Sequence, residues 1–275
     1  MNFQWLMSFN FHLCFWLLLC KKLFCEANFS LKLSTGSDEH CNAYHKMPCK
    51  TFSALFDILE DRSVVQIFSE NVTEGQQPFS WDAPKSSIKF MQHIDKSYLC
   101  ALPTETKPLL TLYNINSLSF SRCRFSTTIA PILEISHGRN LSLFECIFCG
   151  TEGMKGIGPL VKATYYEQVS LSFGINGSTG SQSNFGQRVI DGQGAGLYID
   201  KVKEFITMGS CFVNLTANQG GGLFIGKDAE ICLIDNITVR SVKATGEREQ
   251  GGGAGAYICC MSPEMEAKER TVKFS

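Results

Sequence analysis

Three short segments of this chain are near copies of one another: GAGLYI (194–199), GGGLFI (220–225) and GAGAYI (253–258), recurring at intervals of 26 and 33 residues. Each is a glycine cluster followed by an apolar, an aromatic and an Ile position, and GIGPLV (156–161) is a weaker fourth copy. A short strand of this kind cannot bury its apolar face alone, so copies must stack. Aligned on Leu109, Ile132, Leu160, Leu197 and Leu223, the chain shows a second apolar strand nine positions later. Its pairs are Leu118/Phe120, Leu141/Leu143, Val169/Leu171, Ile206/Met208 and Cys232/Ile234, and the coil spacing is 23, 28, 37 and 26 residues. Units with no internal helix and a variable period predict an all-β, right-handed parallel β-helix over 88–260, with loops of different length leaving its corners. Glycine at one corner fits a turn with positive φ and close approach to the next coil.

Ahead of the coils lies a cap, predicted over 28–87. Phe52, Leu55, Phe56 and Leu59 recur at i, i+3, i+4 and i+7, so a two-turn helix over 51–59 begins at Thr51. Ser63 to Phe68 reads as the first strand, and Ile88, Phe90, Gln92 and Ile94 alternate as another. The residues after 260 (MSPEMEAKERTVKFS) read as a polar tail, open to truncation from a longer surface protein.

The uninterrupted apolar run at 13–20 (LCFWLLLC) and the exit Cys25-Glu26-Ala27 read as a signal peptide over 1–27. Retention as an anchor is the alternative, since Lys21 and Lys22 follow the run, although a bilayer needs about 20 apolar residues. Cleavage leaves ten of the 13 cysteines, a number that fits pairing in an oxidising compartment. Six N-x-S/T sequons, at Asn28, Asn71, Asn140, Asn176, Asn214 and Asn236, point to a glycosylated, secreted or cell-surface protein. With 25 basic against 26 acidic residues, no field is available to gather phosphates, which argues against nucleic acid as a partner. Membrane contact would need the retained leader or an anchor beyond the given sequence.

The segment CNAYHKMPCKTFSALFDIL (41–59) resembles the N-terminal cap of pectin-lyase-like β-helix proteins. CFVNLTANQGGGLFI (211–225) is similar to the coil repeat of polymorphic outer-membrane-protein and autotransporter-type adhesins, where an Asn-containing turn precedes Gly-Gly and a strand. The resemblance covers roughly 41–260. It implies a binding scaffold displayed outside the cell, although many enzymes of the β-helix fold cleave acidic polysaccharides.

Candidate chemistry is sparse. VIDGQG (189–194) is similar to an early segment of polygalacturonases, yet the chain lacks the paired aspartates and the His-containing motif with which those enzymes work. A lyase or hydrolase would need Asp191, Asp200, Asp228 and Lys201 to converge in one groove. Glu167, Glu204 and Glu230 fall in one column of the alignment, as do Lys201 and Lys227, so a carboxylate row bridged by Ca²⁺ or simply solvated is expected. Gly221 to Lys227 and Gly251 to Ala256 imitate phosphate-binding motifs, but strands fill the places where a loop or helix is needed. His40, Cys41, His45 and Cys49 match no common zinc spacing, and a Cys41–Cys49 disulfide stapling the cap is the preferred reading. Cys123, Cys146 and Cys211 share a column that fits either disulfides or a buried thiol ladder. Cys146-x-x-Cys149 lacks the setting of a redox motif, and adjacent Cys259 and Cys260 would face opposite sides of a strand. No residue is assigned to catalysis, to a metal or to a cofactor. Recognition of extracellular protein or glycan ligands is expected from corner loops such as an insertion at 177–192.

Overall fold

The computed structural model describes residues 27–32, 37, 39–40, 48–59, 63–68, 78–82, 87–92, 99–100, 106–151, 154–172, 184–226, 229, 231–235, 237–246, 253–258 and 271–274. The first elements are β1 (Ala27–Lys32), α1 (Phe52–Ile58), β2 (Ser63–Phe68), β3 (Phe79–Asp82), β4 (Ser87–Gln92) and β5 (Leu99–Cys100). Three coils follow in β6 (Leu110–Tyr113), β7 (Ser117–Ser121) and β8 (Arg124–Ser126), then β9 (Leu133–Phe144) and β10 (Ile147–Cys149), then β11 (Val161–Ser172) and β12 (Asn184–Val189). The remainder is β13 (Leu197–Met208), β14 (Cys211–Ala217), β15 (Leu223–Ile225), β16 (Ile231–Asp235), β17 (Thr238–Arg240), β18 (Lys243–Ala244), β19 (Ala256–Ile258) and β20 (Thr271–Phe274).

Strands pair in parallel with their counterparts one coil away, which makes a parallel β-solenoid of about five turns. The first sheet runs β1-β2-β4-β7-β9-β11-β13-β15-β19, with β3, β6, β16 and β20 on its branches; the second runs β17-β14-β12-β10-β8-β5, with β18 on β14. Parallel stacking of this kind places like residues above one another about 4.8 Å apart. Three inward rows form the core. Leu110, Leu133, Val161, Leu197, Leu223 and Ala256 make the first. Leu118, Leu141, Val169, Phe205 and Cys232 make the second. In the second sheet, Phe125, Phe148, Phe185 and Phe212 stack with centroids 5.4, 5.2 and 5.0 Å apart and rings within 16° of parallel. Offset stacking of this sort adds about 0.5–1.5 kcal/mol per pair beyond the burial itself.

The glycine clusters stack as the repeat predicts. Gly194 and Gly220 sit at φ +62° and +55°, and a Cβ on Gly196 would lie 2.7 Å from the Gly222 carbonyl oxygen. The predicted helix is present as α1, one residue shorter at each end; the Thr51 hydroxyl accepts from the Ala54 N–H at 3.3 Å. Its buried face covers the first coils, with the Phe56 ring 4.8 Å from Phe79, 4.6 Å from Trp81 and 5.9 Å from Phe90. That apolar contact, more than intrinsic propensity, holds so short a helix.

Four expectations are corrected. The true first row contains Leu110, Leu133 and Val161, so the alignment on Leu109, Ile132 and Leu160 is one residue early, and the third spacing is 36, not 37. Both residues of each such pair are buried, because the chain turns a corner there and directs two neighbours inward; alternation then no longer marks the register. In the fourth coil the second row accordingly holds Phe205 and Thr207, while Met208 faces outward at 45% exposure. Coil stacking also begins at β1 and β2 rather than at 88, since β1 pairs with β2 and β2 with β4. The supposed polar tail contains β20, which sets Val272 and Phe274 in register with Cys232 and Ile234. Finally, 184–189 within the presumed corner insertion is β12, a strand of the second sheet that carries two of the largest buried side chains, Phe185 and Arg188. The apolar run at 13–20 and residues 177–183 lie outside the described residues, and no helix among the described residues is long and apolar enough to cross a membrane.

Candidate functional site

Alternation along each strand sends every second side chain outward, and the stack turns those positions into rows. One outward row of the first sheet runs Thr111, Glu134, Lys162, Tyr198, Phe224, Tyr257. Lys162 Nζ donates to Glu134 Oε1 at 2.7 Å. The three aromatic rings continue the row with centroids 5.1 and 5.2 Å apart and planes 3° and 8° from parallel. Partial burial pushes the Tyr198 hydroxyl up from its usual pKa, reinforced by Asp200 and opposed by Lys201.

Beside this row the long strands β9, β11 and β13 bend. The residue at each bend is left-handed and not a glycine: His137 at φ 62°, Tyr165 at 58°, Lys201 at 54°, with Asn114 at 60° in the coil before. Their side chains form a ridge. The His137 and Tyr165 rings stack at 4.5 Å and 8°, and Lys201 Nζ lies 4.4 Å from the centre of the Tyr165 ring while donating to its hydroxyl. Asn114 Nδ2 donates to Asp82 Oδ1 at 2.7 Å. Row and ridge together offer ring edges, ammonium groups and carboxylates on one rigid face, a combination suited to adsorbing a polar extended ligand.

The carboxylate row is not formed. Register pairs Gln168 with Glu204, so Glu167 and Glu204 occupy different rows, a consequence of the same one-residue slip. Gln168 Nε2 donates to Glu204 Oε2 at 2.8 Å, and Arg139 lies 3.5 Å from Glu167 in an exposed pair worth little. Glu230 and Lys227 lie outside the described residues. Of the acidic groups that a glycan-cleaving site would need, the two that are described lie on different elements. Asp191 stands on the loop before the glycine corner, paired with Lys155, and Asp200 lies within β13; Asp228 is outside the described residues. Among the described residues no three His, Cys, Asp or Glu side chains are grouped to hold a metal ion, and Cys41 and His45 lie outside them.

Cys123 and Cys146 occupy one inward row as thiols that donate to backbone carbonyls, Cys123 to Ser121 and Cys146 to Phe120 and Phe144. Burial, then the neighbouring Cys146, pushes the Cys123 thiol well up. Cys211 is in register with Asn184, one place later, so it leaves that row and turns outward. Cys149 faces outward while Cys146 faces in, which separates the C-x-x-C pair across the strand; burial pushes the Cys149 thiol up, away from the reactive thiolate. Cys49 is buried beside α1; Cys41, Cys259 and Cys260 lie outside the described residues.

Of the sequons, Asn140 and Asn214 are exposed, Asn28 stands in β1 opposite Val64, and Asn71, Asn176 and Asn236 lie outside the described residues. Asn214 is left-handed at φ 53° and borders a groove of about 430 Å³ on the outer face of the second sheet, between Ser126, Cys149 and Val213. Sequence reasoning missed this groove, and its one local signal is Gly186, a glycine inside a strand.

It also missed Arg188. This side chain is 1% exposed, and its guanidinium donates to the carbonyls of Gly158, Thr128, Ile129 and Ala130 at 3.0, 3.2, 2.5 and 2.9 Å. Burial pulls its pKa down to about 10, so the group is still a cation at neutral pH. Four acceptors take the place of water around the buried charge. The arrangement ties two corner loops to β12.

No family model matches the chain, and neither curated proteins nor solved structures show a significant match to it.

Proposed function

We propose that this chain is a secreted or cell-surface β-solenoid that binds extracellular protein or glycan ligands on its outer faces and carries no catalytic site of its own. The observation that carries the reading is the outward row from Glu134 to Tyr257 beside the His137–Tyr165–Lys201 ridge. Successive coils present chemically different groups at fixed separation, and a rigid, repetitive surface of that sort recognises an extended ligand at low entropic cost. The apolar leader, the sequons and a Cys41–Cys49 staple in the cap belong to the same reading. The likeness of 41–59 and 211–225 to pectin-lyase-like caps and to adhesin coil repeats favours it further.

The test is binding of the purified protein, secreted by eukaryotic cells, to cell surfaces and to immobilised glycans, with Tyr198→Ala, Tyr257→Ala and Lys201→Ala as variants. We expect a saturable signal that falls at least tenfold in the double tyrosine variant while the thermal midpoint stays within a few degrees. Equal binding by all variants would remove this face from the proposal. Release of reducing or unsaturated sugars from a polysaccharide substrate would overturn the non-enzymatic reading.

A further inference from the structure

The groove on the second sheet poses a question that the scaffold itself does not answer. Gly186 lies in the interior of β12, where glycine costs roughly 0.5–1 kcal/mol relative to alanine. Its φ is not left-handed, and a Cβ there would meet only the Val213 carbonyl oxygen, at 3.4 Å, an ordinary van der Waals distance. Gly150, close by, differs: a Cβ there would collide with the Gln187 carbonyl, so the packing of the coils requires it. Gly186 is thus required by neither backbone conformation nor packing, and its effect is to keep the groove open. A glycine of this kind inside a strand marks the close approach of another group.

The position of Asn214 identifies that group. It is exposed, stands at the rim of the groove and begins the sequon Asn214-Leu215-Thr216. We propose that the groove seats the first sugars of an N-linked glycan carried by Asn214, so that the glycan lies along the second sheet and covers Cys149. This rests on the secreted reading given above. The bond joins Asn214 Nδ2 to C1 of an N-acetylglucosamine; a lipid-linked pyrophosphate is displaced and the amide loses a proton, as in glycosylation of nascent secretory chains. Val213 supplies an apolar wall for the C–H face of a sugar, and the Ser126 hydroxyl and Gln187 amide supply hydrogen-bonding partners for its N-acetyl group and hydroxyls.

Cys149 is a built-in reporter, because it lines the groove, whereas the thiols of Cys123 and Cys146 are fully buried. The experiment uses full-length protein secreted by eukaryotic cells, site occupancy by glycopeptide mass spectrometry, and the alkylation rate of Cys149 under native, mildly alkaline conditions. Asn214→Gln and Thr216→Ala remove the sequon in two independent ways. Gln187 already holds the same left-handed conformation one coil away, so glutamine is accommodated there. We expect Asn214 to be occupied, Cys149 alkylation to rise at least tenfold in both variants, and enzymatic release of the Asn214 glycan to be slower than that at Asn140. Gly186→Val should fill the groove and bring release at Asn214 up to the Asn140 rate. An occupied Asn214 with unchanged Cys149 alkylation would overturn the seat and leave the secreted reading intact, as would an empty Asn214 beside an occupied Asn140. Secreted material with no sequon occupied would overturn both.

Discussion

The solenoid turns its corners in two different ways. At the corner before the first inward row, Gly194 and Gly220 take the left-handed conformation, and Gly196 and Gly222 let adjacent coils approach until no Cβ would fit. At the other corners the same backbone conformation is held mostly by side-chain-bearing residues: by Asn114, His137, Tyr165 and Lys201, by Arg122 and Glu145 with Gly209 at φ 68°, and by Gln187, Asn214 and Ser241. A left-handed non-glycine residue costs about 1–2 kcal/mol, and here the stack offsets it: the N–H of Asn114 bonds the Ser136 carbonyl at 3.0 Å and that of Arg122 the Phe144 carbonyl at 2.8 Å in the next coil. The glycine corner exists so that coils can pack, and the side-chain corners exist where groups are displayed, including the Tyr165 ridge and the sequon at Asn214.

Substitutions separate the two kinds of corner. The largest effect is expected for Gly196→Val, which forces a branched side chain against the Gly222 carbonyl and the Leu215 side chain; a loss of about 3 kcal/mol, read as a lowered denaturation midpoint or failed secretion, is the predicted outcome. Arg188→Met comes next. It relieves a buried charge but strips four carbonyls of their donor, and we expect a net loss of about 2 kcal/mol in chemical denaturation. A gain here would show that the corner loops do not depend on the guanidinium.

A smaller change of opposite sign is expected for Ser241→Gly. Ser241 is exposed and left-handed at φ 51°, so glycine there should raise stability by about 1 kcal/mol, whereas Gly220→Ala, at nearly the same φ, should lower it. Equal signs for this pair would erase the distinction between the corners. The smallest effect is at Tyr166, the inward neighbour of the displayed Tyr165. Its hydroxyl is buried with no hydrogen-bond partner among the described residues, and burial pushes its pKa well above the usual value near 10. Because the folded pKa is raised, stability linked to this group is intact below pH about 10 and falls as pH rises beyond it. Tyr166→Phe should therefore raise the thermal midpoint by a few degrees at neutral pH and reduce the alkaline loss, both measurable by calorimetry across pH 8–11.

Much of this architecture was legible in the residues. The glycine repeats announced a stack of short strands, the four-residue apolar pattern from Phe52 announced the cap helix, and the aromatic place in each repeated triplet held Tyr198, Phe224 and Tyr257. Register was harder to read, because neighbours such as Leu109 and Leu110 are both buried and alternation then fits two alignments equally well. The candidate site was less legible still: Glu167 and Glu204 looked stacked and are not, and Cys211 left the row of Cys123 and Cys146 for the outer face.

Amino-acid order alone decided that this chain must coil upon itself, since glycine spacing and apolar alternation are local properties of the chain. Tertiary structure decided which neighbour each coil meets at a corner, that tyrosine and lysine can adopt a glycine-like conformation there, where a buried Arg188 finds its four carbonyls, and that Gly186 leaves a groove beside Asn214. Those outcomes depend on hydrogen bonds and contacts between residues 26 to 60 positions apart, which no short window of sequence contains.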